Sequence, residues 1–208
     1  MSPTTSNLYS SVTEIAPCVK LYDDVWPGST TFIEQLEAGT ETSFIRWGAG
    51  TLNTDKGPLV DTKYRNVQLI GIPSFEGFPP KEDADPSVFK MYDMYNELVS
   101  NFDPIIEEYR SEYGVPTETK EGIQLLKYGV DQFFAAHVDD SPRRPRRISY
   151  VYYVNEDYEG GEIEFTNFKV TVKPKAHQLL VFPSSYAYRH AVHPVTAGTR
   201  YAMVQWWN

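Results

Sequence analysis

Apolar positions along the chain follow one period before about residue 118 and another after it. Val88, Met91, Tyr95, Leu98, Val99, Phe102, Ile105, Ile106, Tyr109 and Tyr113 recur at steps of three and four. That is the spacing of one buried helix face, and such a stripe is core rather than chemistry. Pro104 sits inside the pattern. Either it kinks one long helix, or Asp103 caps a second helix with Pro104 at its first position. Gly114 is a suitable stop. Upstream, "WPGSTTFIEQLEAGT" predicts a helix that Ser29 or Thr30 can cap and Gly39 can end. "CVKLYDDV" and "RNVQLIGI" predict strands, residues 1–16 a polar arm, residues 49–63 a Gly/Asp/Thr-rich loop, and residues 73–86 a surface connection rich in Pro and acid.

After residue 118 the helical period disappears. "GIQLLKY", "QFFAAHVD", "RISYVYYVN", "GEIEFTN", "KVTVKP", "QLLVFP", "YRHAVHPV" and "TRYAMVQWW" follow one another with short turns between them. Many short strands at even spacing predict a sandwich or barrel, and eight is the number of a double-sheet jelly roll. The expected fold is therefore α+β but mainly β: a jelly-roll core of about eight strands supported by N-terminal helices. One domain is expected over 1–208, with helical support and edge strands in 1–117 and the core in 118–208.

Composition narrows the function. The 208 residues include 15 Tyr and 11 Phe, which suits strands and a packed interior. A net charge of −9 argues against a general nucleic-acid binder. The single cysteine, Cys18, excludes an intrachain disulfide. The N-terminus lacks a basic start and an apolar run, so neither a signal peptide nor a membrane span is expected, and a cytoplasmic location is the default.

All four histidines, His137, His177, His190 and His193, fall in the β region. In "FFAAHVDD", His137 and Asp139 are two apart, so on a strand they share a face roughly 6–7 Å apart. A second histidine from another strand would complete two imidazoles and a carboxylate, a set that holds one face of an octahedral Fe(II) and leaves positions open. Arg200 follows His190 by ten residues, with the turn-like "PVTAG" between them. An arginine pointing into a pocket needs an anion, and a dicarboxylate would serve. On residues alone, an H-x-D by chance and a surface arginine paired with a glutamate remain open.

In order, "YGVDQFFAAHVD", "YYVNEDYEGGEIEF", "VKPKAHQLLVFP" and "HAVHPVTAGTR" resemble the prolyl 4-hydroxylase-like branch of the Fe(II)/2-oxoglutarate-dependent dioxygenases, over about residues 120–207. The resemblance implies a double-stranded β-helix with His137, Asp139 and His190 as iron ligands. Arg200 would take the far carboxylate of 2-oxoglutarate, assisted by the Tyr153 hydroxyl, with Tyr128 lining the pocket. Trp206, on the strand face of Arg200, matches a tryptophan near the substrate. His177 stands where the family has glycine and is read as a turn residue, since histidine tolerates the left-handed conformation better than most. His193 competes with His190, but His190 has the family spacing to Arg200. Phe134 replaces a frequent tyrosine, which removes one polar contact. In "SPRRPRR", Arg143 and Arg144, with Arg146 and Arg147, are expected at the pocket mouth, as a solvated loop or as a rim that recruits acidic substrate.

The implied reaction consumes 2-oxoglutarate and O2, releases succinate and CO2, and hydroxylates an unactivated C–H, with ascorbate to rescue oxidised iron. A proline in a peptide or protein is the substrate the resemblance favours; a small molecule is the alternative. Two other classes stand beside it: a non-catalytic jelly-roll binding module with core histidines, and a zinc-dependent cupin or hydrolase, which would have no need of Arg200.

Overall fold

The computed structural model describes residues 8–39, 46–54, 57–74 and 86–208. The N-terminal half contains β1 (Ser11–Ala16), β2 (Val19–Asp23), α1 (Ser29–Gly39), β3 (Gly48–Ala49), β4 (Leu52–Thr54), β5 (Gly57–Leu59), β6 (Arg65–Asn66), β7 (Gln68–Ile72) and α2 (Pro86–Tyr113). The rest is strand: β8 (Ile123–Tyr128), β9 (Phe133–His137), β10 (Ile148–Tyr153), β11 (Glu159–Gly160), β12 (Ile163–Phe165), β13 (Val170–Val172), β14 (Leu179–Pro183), β15 (His190–Val192), β16 (Val195–Ala197) and β17 (Arg200–Trp207). Each of the eight apolar segments expected after residue 118 contains one strand; β11 and β16 are short additions.

Two antiparallel sheets face each other as in a jelly roll. The major sheet runs β1-β2-β14-β10-β17-β8-β7-β3 and the minor sheet β13-β12-β15-β9-β6. The major sheet is buried on both faces, and its side chains alternate accordingly. Ile148, Tyr150 and Tyr152 of β10, Leu179 and Val181 of β14, and Met203 and Trp207 of β17 join Phe102, Ile105, Ile106 and Tyr109 of α2 in one apolar cluster. The intervening Val151, Tyr153, Leu180, Phe182, Val204 and Trp206 turn the other way and pack with Ile163, Phe165 and Val192 of the minor sheet. The second cluster surrounds the candidate site.

Several expectations need correction or completion. Residues 11–16 of the supposed polar arm form β1, which pairs with β2 through Ser11↔Asp23, Val12↔Tyr22, Thr13↔Leu21 and Glu14↔Lys20. It is mostly exposed, so its order comes from backbone pairing that a hydrophobic pattern does not register. The loop expected over 49–63 contains the hairpin β4–β5, with Gly57 at φ +105° supplying the turn geometry; residues 55 and 56 lie outside the described residues. α2 is one helix with Pro104 within it. Residues 1–7, the connection at 75–85, and the side chains of Val88 and Met91 also lie outside the described residues. Gly114 ends α2 at φ +62° and His177 sits at φ +66°, both left-handed as expected. Among the described residues no helix is long and apolar enough to cross a membrane.

Phe102 is fully buried, with ring centroids 5.9 Å from Trp26, 5.3 Å from Tyr150 and 4.8 Å from Tyr152. Phe102→Ala should cost about 3–5 kcal/mol of stability, whereas Val130→Ala, at an exposed site, should stay within about 0.5 kcal/mol. Urea denaturation of both variants checks this. Equal midpoints would mean that α2 does not support the sheet.

Candidate functional site

β9 and β15 are neighbours in the minor sheet, and their register pairs His137 with His190. The chain leaves β9 directly after His137, which brings Asp139 back towards the same point. One ligand atom from each of His137, Asp139 and His190 lies within 4.8 Å of the others. His137 Nε2 is 3.5 Å from Asp139 Oδ1, and His190 Nε2 is 3.8 Å from Oδ2. The two imidazole rings are 4.4 Å apart.

Local hydrogen bonds prepare these atoms for a cation. His137 Nδ1 is 2.9 Å from the Ala135 carbonyl oxygen and His190 Nδ1 is 3.0 Å from that of Tyr188. With each Nδ1–H donating to a carbonyl, each Nε2 lone pair is free for a metal. Burial, together with His137, pushes the His190 pKa down to about 4, so its ring is neutral at physiological pH. Burial alone would raise the Asp139 carboxyl. His190, His137 and the Ser149 hydroxyl outweigh it and hold the group below the usual carboxylate range. Ser149 Oγ donates to Asp139 Oδ2 at 2.7 Å and lies 2.7 Å from Ser184 Oγ. Two imidazoles and one ionised carboxylate form a donor set suited to Fe(II).

Arg200 occupies the inner face of β17, paired in register with Tyr128 of β8. It is 1% exposed, and its Nε and Nη1 have no hydrogen-bond partner. The guanidinium carbon lies 4.8 Å from the Tyr128 ring centre and 5.1 Å from that of Tyr153. The hydroxyls of Tyr153 and Tyr158 are likewise buried and unpartnered. Burial raises the pKa of Tyr128, Tyr153 and Tyr158, which keeps all three hydroxyls protonated. Gly161, at φ +66°, packs on the arginine stem: a Cβ there would lie 3.0 Å from Arg200 Cδ. A buried cation with donors in excess is costly unless an anion completes it. The arrangement fits one carboxylate of a dicarboxylic acid.

An open cleft of about 560 Å³ leads to the triad and shares Arg65, Phe134, His137, Asp139 and Trp206 with a small inner chamber. Phe134 stacks on His137 with ring centres 3.6 Å apart. Trp206 lines the cleft under Arg146, whose guanidinium carbon is 3.6 Å from its ring centre. The "SPRRPRR" arginines differ from a uniform rim. Arg146 turns inward and is held bidentately by Glu121 at 2.6 and 2.7 Å, Arg144 is exposed on the cleft wall, 3.8 Å from the same Glu121, and Arg143 does not line this cleft. His193 stands apart from the triad, 2.9 Å from Glu164. His177 contacts Ser29 and Tyr152, both at 3.2 Å, on the helical side.

Residues 123–208 match the sequence profile of the 2OG-Fe(II) oxygenase superfamily. Through this segment the chain is similar to members of that superfamily. A PKHD-type hydroxylase from Synechococcus sp. (strain JA-2-3B'a(2-13)) is 35% identical over 94 residues, 40% of this chain and 41% of that protein. The chain spans about half the length, or less, of the curated relatives it matches. Two solved structures share the fold. A prolyl hydroxylase from Trichoplax adhaerens, in complex with a hypoxia inducible factor peptide fragment, aligns with a TM-score of 0.68 at 19% identity, covering 91% of this chain and 82% of its own. A prolyl-4-hydroxylase from Pseudomonas putida aligns with a TM-score of 0.64 at 18% identity, covering 91% and 92%.

Ser149, Ser184, Tyr158 and Arg65 escape the sequence reading. Ser149 carries a usable signal, because it is two and four residues from Val151 and Tyr153 and therefore shares their inward face. Ser149→Ala should lower Co(II) or Fe(II) affinity about 10- to 100-fold with an unchanged circular dichroism spectrum; metal titration checks this. Unaltered affinity would mean that the hydroxyl does not orient Asp139.

Proposed function

We propose that the protein is an Fe(II)- and 2-oxoglutarate-dependent dioxygenase that hydroxylates an unactivated C–H, with a proline in a peptide or protein as its substrate. The observation that carries this reading is the fully buried Arg200, with unpaired donors, in the same barrel as the His137, Asp139 and His190 cluster. A binding module with core histidines would have no use for either feature. A zinc hydrolase would use the cluster and leave Arg200 without a task.

In this reading His137 Nε2, His190 Nε2 and an Asp139 oxygen hold Fe(II), which supplies the one-electron and O2 chemistry that side chains lack. Arg200 receives the far carboxylate of 2-oxoglutarate through its fork, with the Tyr153 and Tyr158 hydroxyls beside it and Tyr128 as the pocket wall. Ser149 keeps Asp139 oriented. Phe134 and Trp206 exclude water and form the apolar walls between which the reacting C–H is placed. Overall, 2-oxoglutarate, O2 and the C–H become succinate, CO2 and an alcohol. Ascorbate serves as the rescuing reductant, and residues 1–208 act as one catalytic unit in the cytoplasm.

A peptide is favoured because the cleft is open and roomy at the surface, and because the Trichoplax relative is seen with a peptide. Arg143 and Arg144 are assigned to the approach of the substrate rather than to the reaction.

Anaerobic addition of Fe(II) and 2-oxoglutarate should produce a weak visible charge-transfer band that requires both. His137→Ala should abolish the band and turnover. Arg200→Ala should retain metal binding but raise the half-saturating 2-oxoglutarate concentration roughly 10- to 100-fold, as expected for lost charge-assisted hydrogen bonds. No band in the wild type, with neither additive bound, would sink the oxygenase reading. Equal loss of metal and co-substrate binding in Arg200→Ala would make Arg200 structural.

A further inference from the structure

The cleft contains another buried guanidinium, for which the proposed reaction has no use. Arg65 lies on β6, which pairs with β9 through Arg65↔Phe134. It is 8% exposed and lines both the inner chamber and the outer cleft. Its Nη1 donates to the Thr51 carbonyl at 2.8 Å and its Nη2 to Gln124 Oε1 at 3.1 Å, while Nε has no partner. The guanidinium carbon lies 4.8 Å from the ring centre of Phe134, the residue stacked on His137.

Both acceptors are neutral, so they fix the direction of the guanidinium and leave its charge unbalanced. Arg65 makes no ion pair among the described residues, in contrast to Arg146, which Glu121 neutralises. Of the three arginines that line the cleft, Arg144 and Arg146 have Glu121 beside them, whereas the carboxylate whose field reaches Arg65 is Asp139, which also faces the two histidines. A local excess of positive charge at the bottom of a cleft, on a chain of net charge −9, focuses an attractive field for anions. A third neutral acceptor would satisfy Nε and still leave the charge; a carboxylate would satisfy both.

We propose that Arg65 receives a carboxylate of the substrate, so that the preferred substrate carries a carboxylate close to the C–H that is hydroxylated. The proposal rests on the oxygenase reading and adds the substrate class. An acidic side chain beside the target residue of a peptide, or the free carboxylate of an amino acid, would present the same chemistry.

The test uses the full chain with Fe(II) and 2-oxoglutarate without oxygen. The probes are a blocked proline peptide with Glu or Gln next to the proline, and L-proline beside L-prolinamide. Change in the charge-transfer band reports binding, and succinate formation after admission of oxygen reports coupling. The carboxylate-bearing member of one pair should bind about ten-fold more tightly than its amide, the size of one charge-assisted hydrogen bond. Preference within the peptide pair identifies an acidic side chain as the source, and preference within the proline pair a free carboxylate. In Arg65→Gln the ratio should fall to near one. If that variant forms no band, Arg65→Lys replaces it and should reduce the ratio at least three-fold.

A wild-type band with no response to any probe, or with no preference in either pair, would overturn the proposal while leaving the oxygenase reading intact. A ratio unchanged in the variant would remove Arg65 from the role. A rise in 2-oxoglutarate requirement in Arg65→Gln matching that of Arg200→Ala would make Arg65 a co-substrate residue instead. Absence of the wild-type band would remove both readings together.

Discussion

The register of a sheet buried on both faces is the constraint on which the rest of the structure depends. Side chains alternate along a strand, so a shift of one residue exchanges the two faces completely. In β17 the correct register sends Arg200, Ala202, Val204 and Trp206 to the site and Met203 and Trp207 to the helices. A slip of one would turn Arg200 to the opposite face, where Tyr201 now meets Trp47 and Glu37, and remove its donors from the barrel interior. The large aromatic rings on the helical side therefore do more than stabilise. By fitting in only one register, they fix which residues reach the site. The pairings Arg200↔Tyr128 and Tyr153↔Ala202 follow directly and bring the arginine between its two tyrosines.

The electrostatics of the site depend on that same burial. Desolvation disfavours charge on every group there, and the outcome differs according to neighbours. His190 loses its proton easily because the burial penalty and the repulsion from His137 outweigh the attraction of Asp139. Asp139 keeps its charge because two imidazoles and a hydroxyl face it. The opposed shifts leave a neutral His190 and an ionised Asp139, which with His137 place one candidate ligand atom each within 4.8 Å of the others. The tyrosines around Arg200 are pushed the other way and remain donors, which concentrates hydrogen-bond donors and positive charge at one point of the barrel.

Much of this is legible in the sequence, for physical reasons that apply unevenly. The eight core strands are legible because each alternates or runs apolar between short turns, and α2 because its stripe has helical period. The H-x-D spacing flags His137 and Asp139, although β9 ends at His137 and it is the turn beyond it that brings Asp139 in, and His190 follows from the family pattern. β1 is hidden because an exposed edge strand held by backbone bonds leaves no hydrophobic trace. The β4–β5 hairpin is hidden because Gly and Asp, which make its turn possible, also read as loop. Arg65 is hidden for another reason. Its neighbours Thr51, Gln124 and Phe134 come from three separate parts of the chain, and nothing local marks the arginine as buried.

The arginines show most clearly where sequence reading stops. Composition reveals how many cations there are, but the role of each is set by whether a carboxylate meets it in space. Glu121, 25 residues from Arg146, neutralises one member of "SPRRPRR" and converts it into a strut that lies on Trp206. That strut fixes the cleft wall without contributing a net field, because the pair is close to neutral from outside. Arg200 and Arg65 form no ion pair among the described residues, and of the two Arg65 lines the cleft. The same residue type thus shapes the cavity where it is paired and, in the proposed reaction, would select the occupant where it is not. The two functions are separated by the position of a single glutamate.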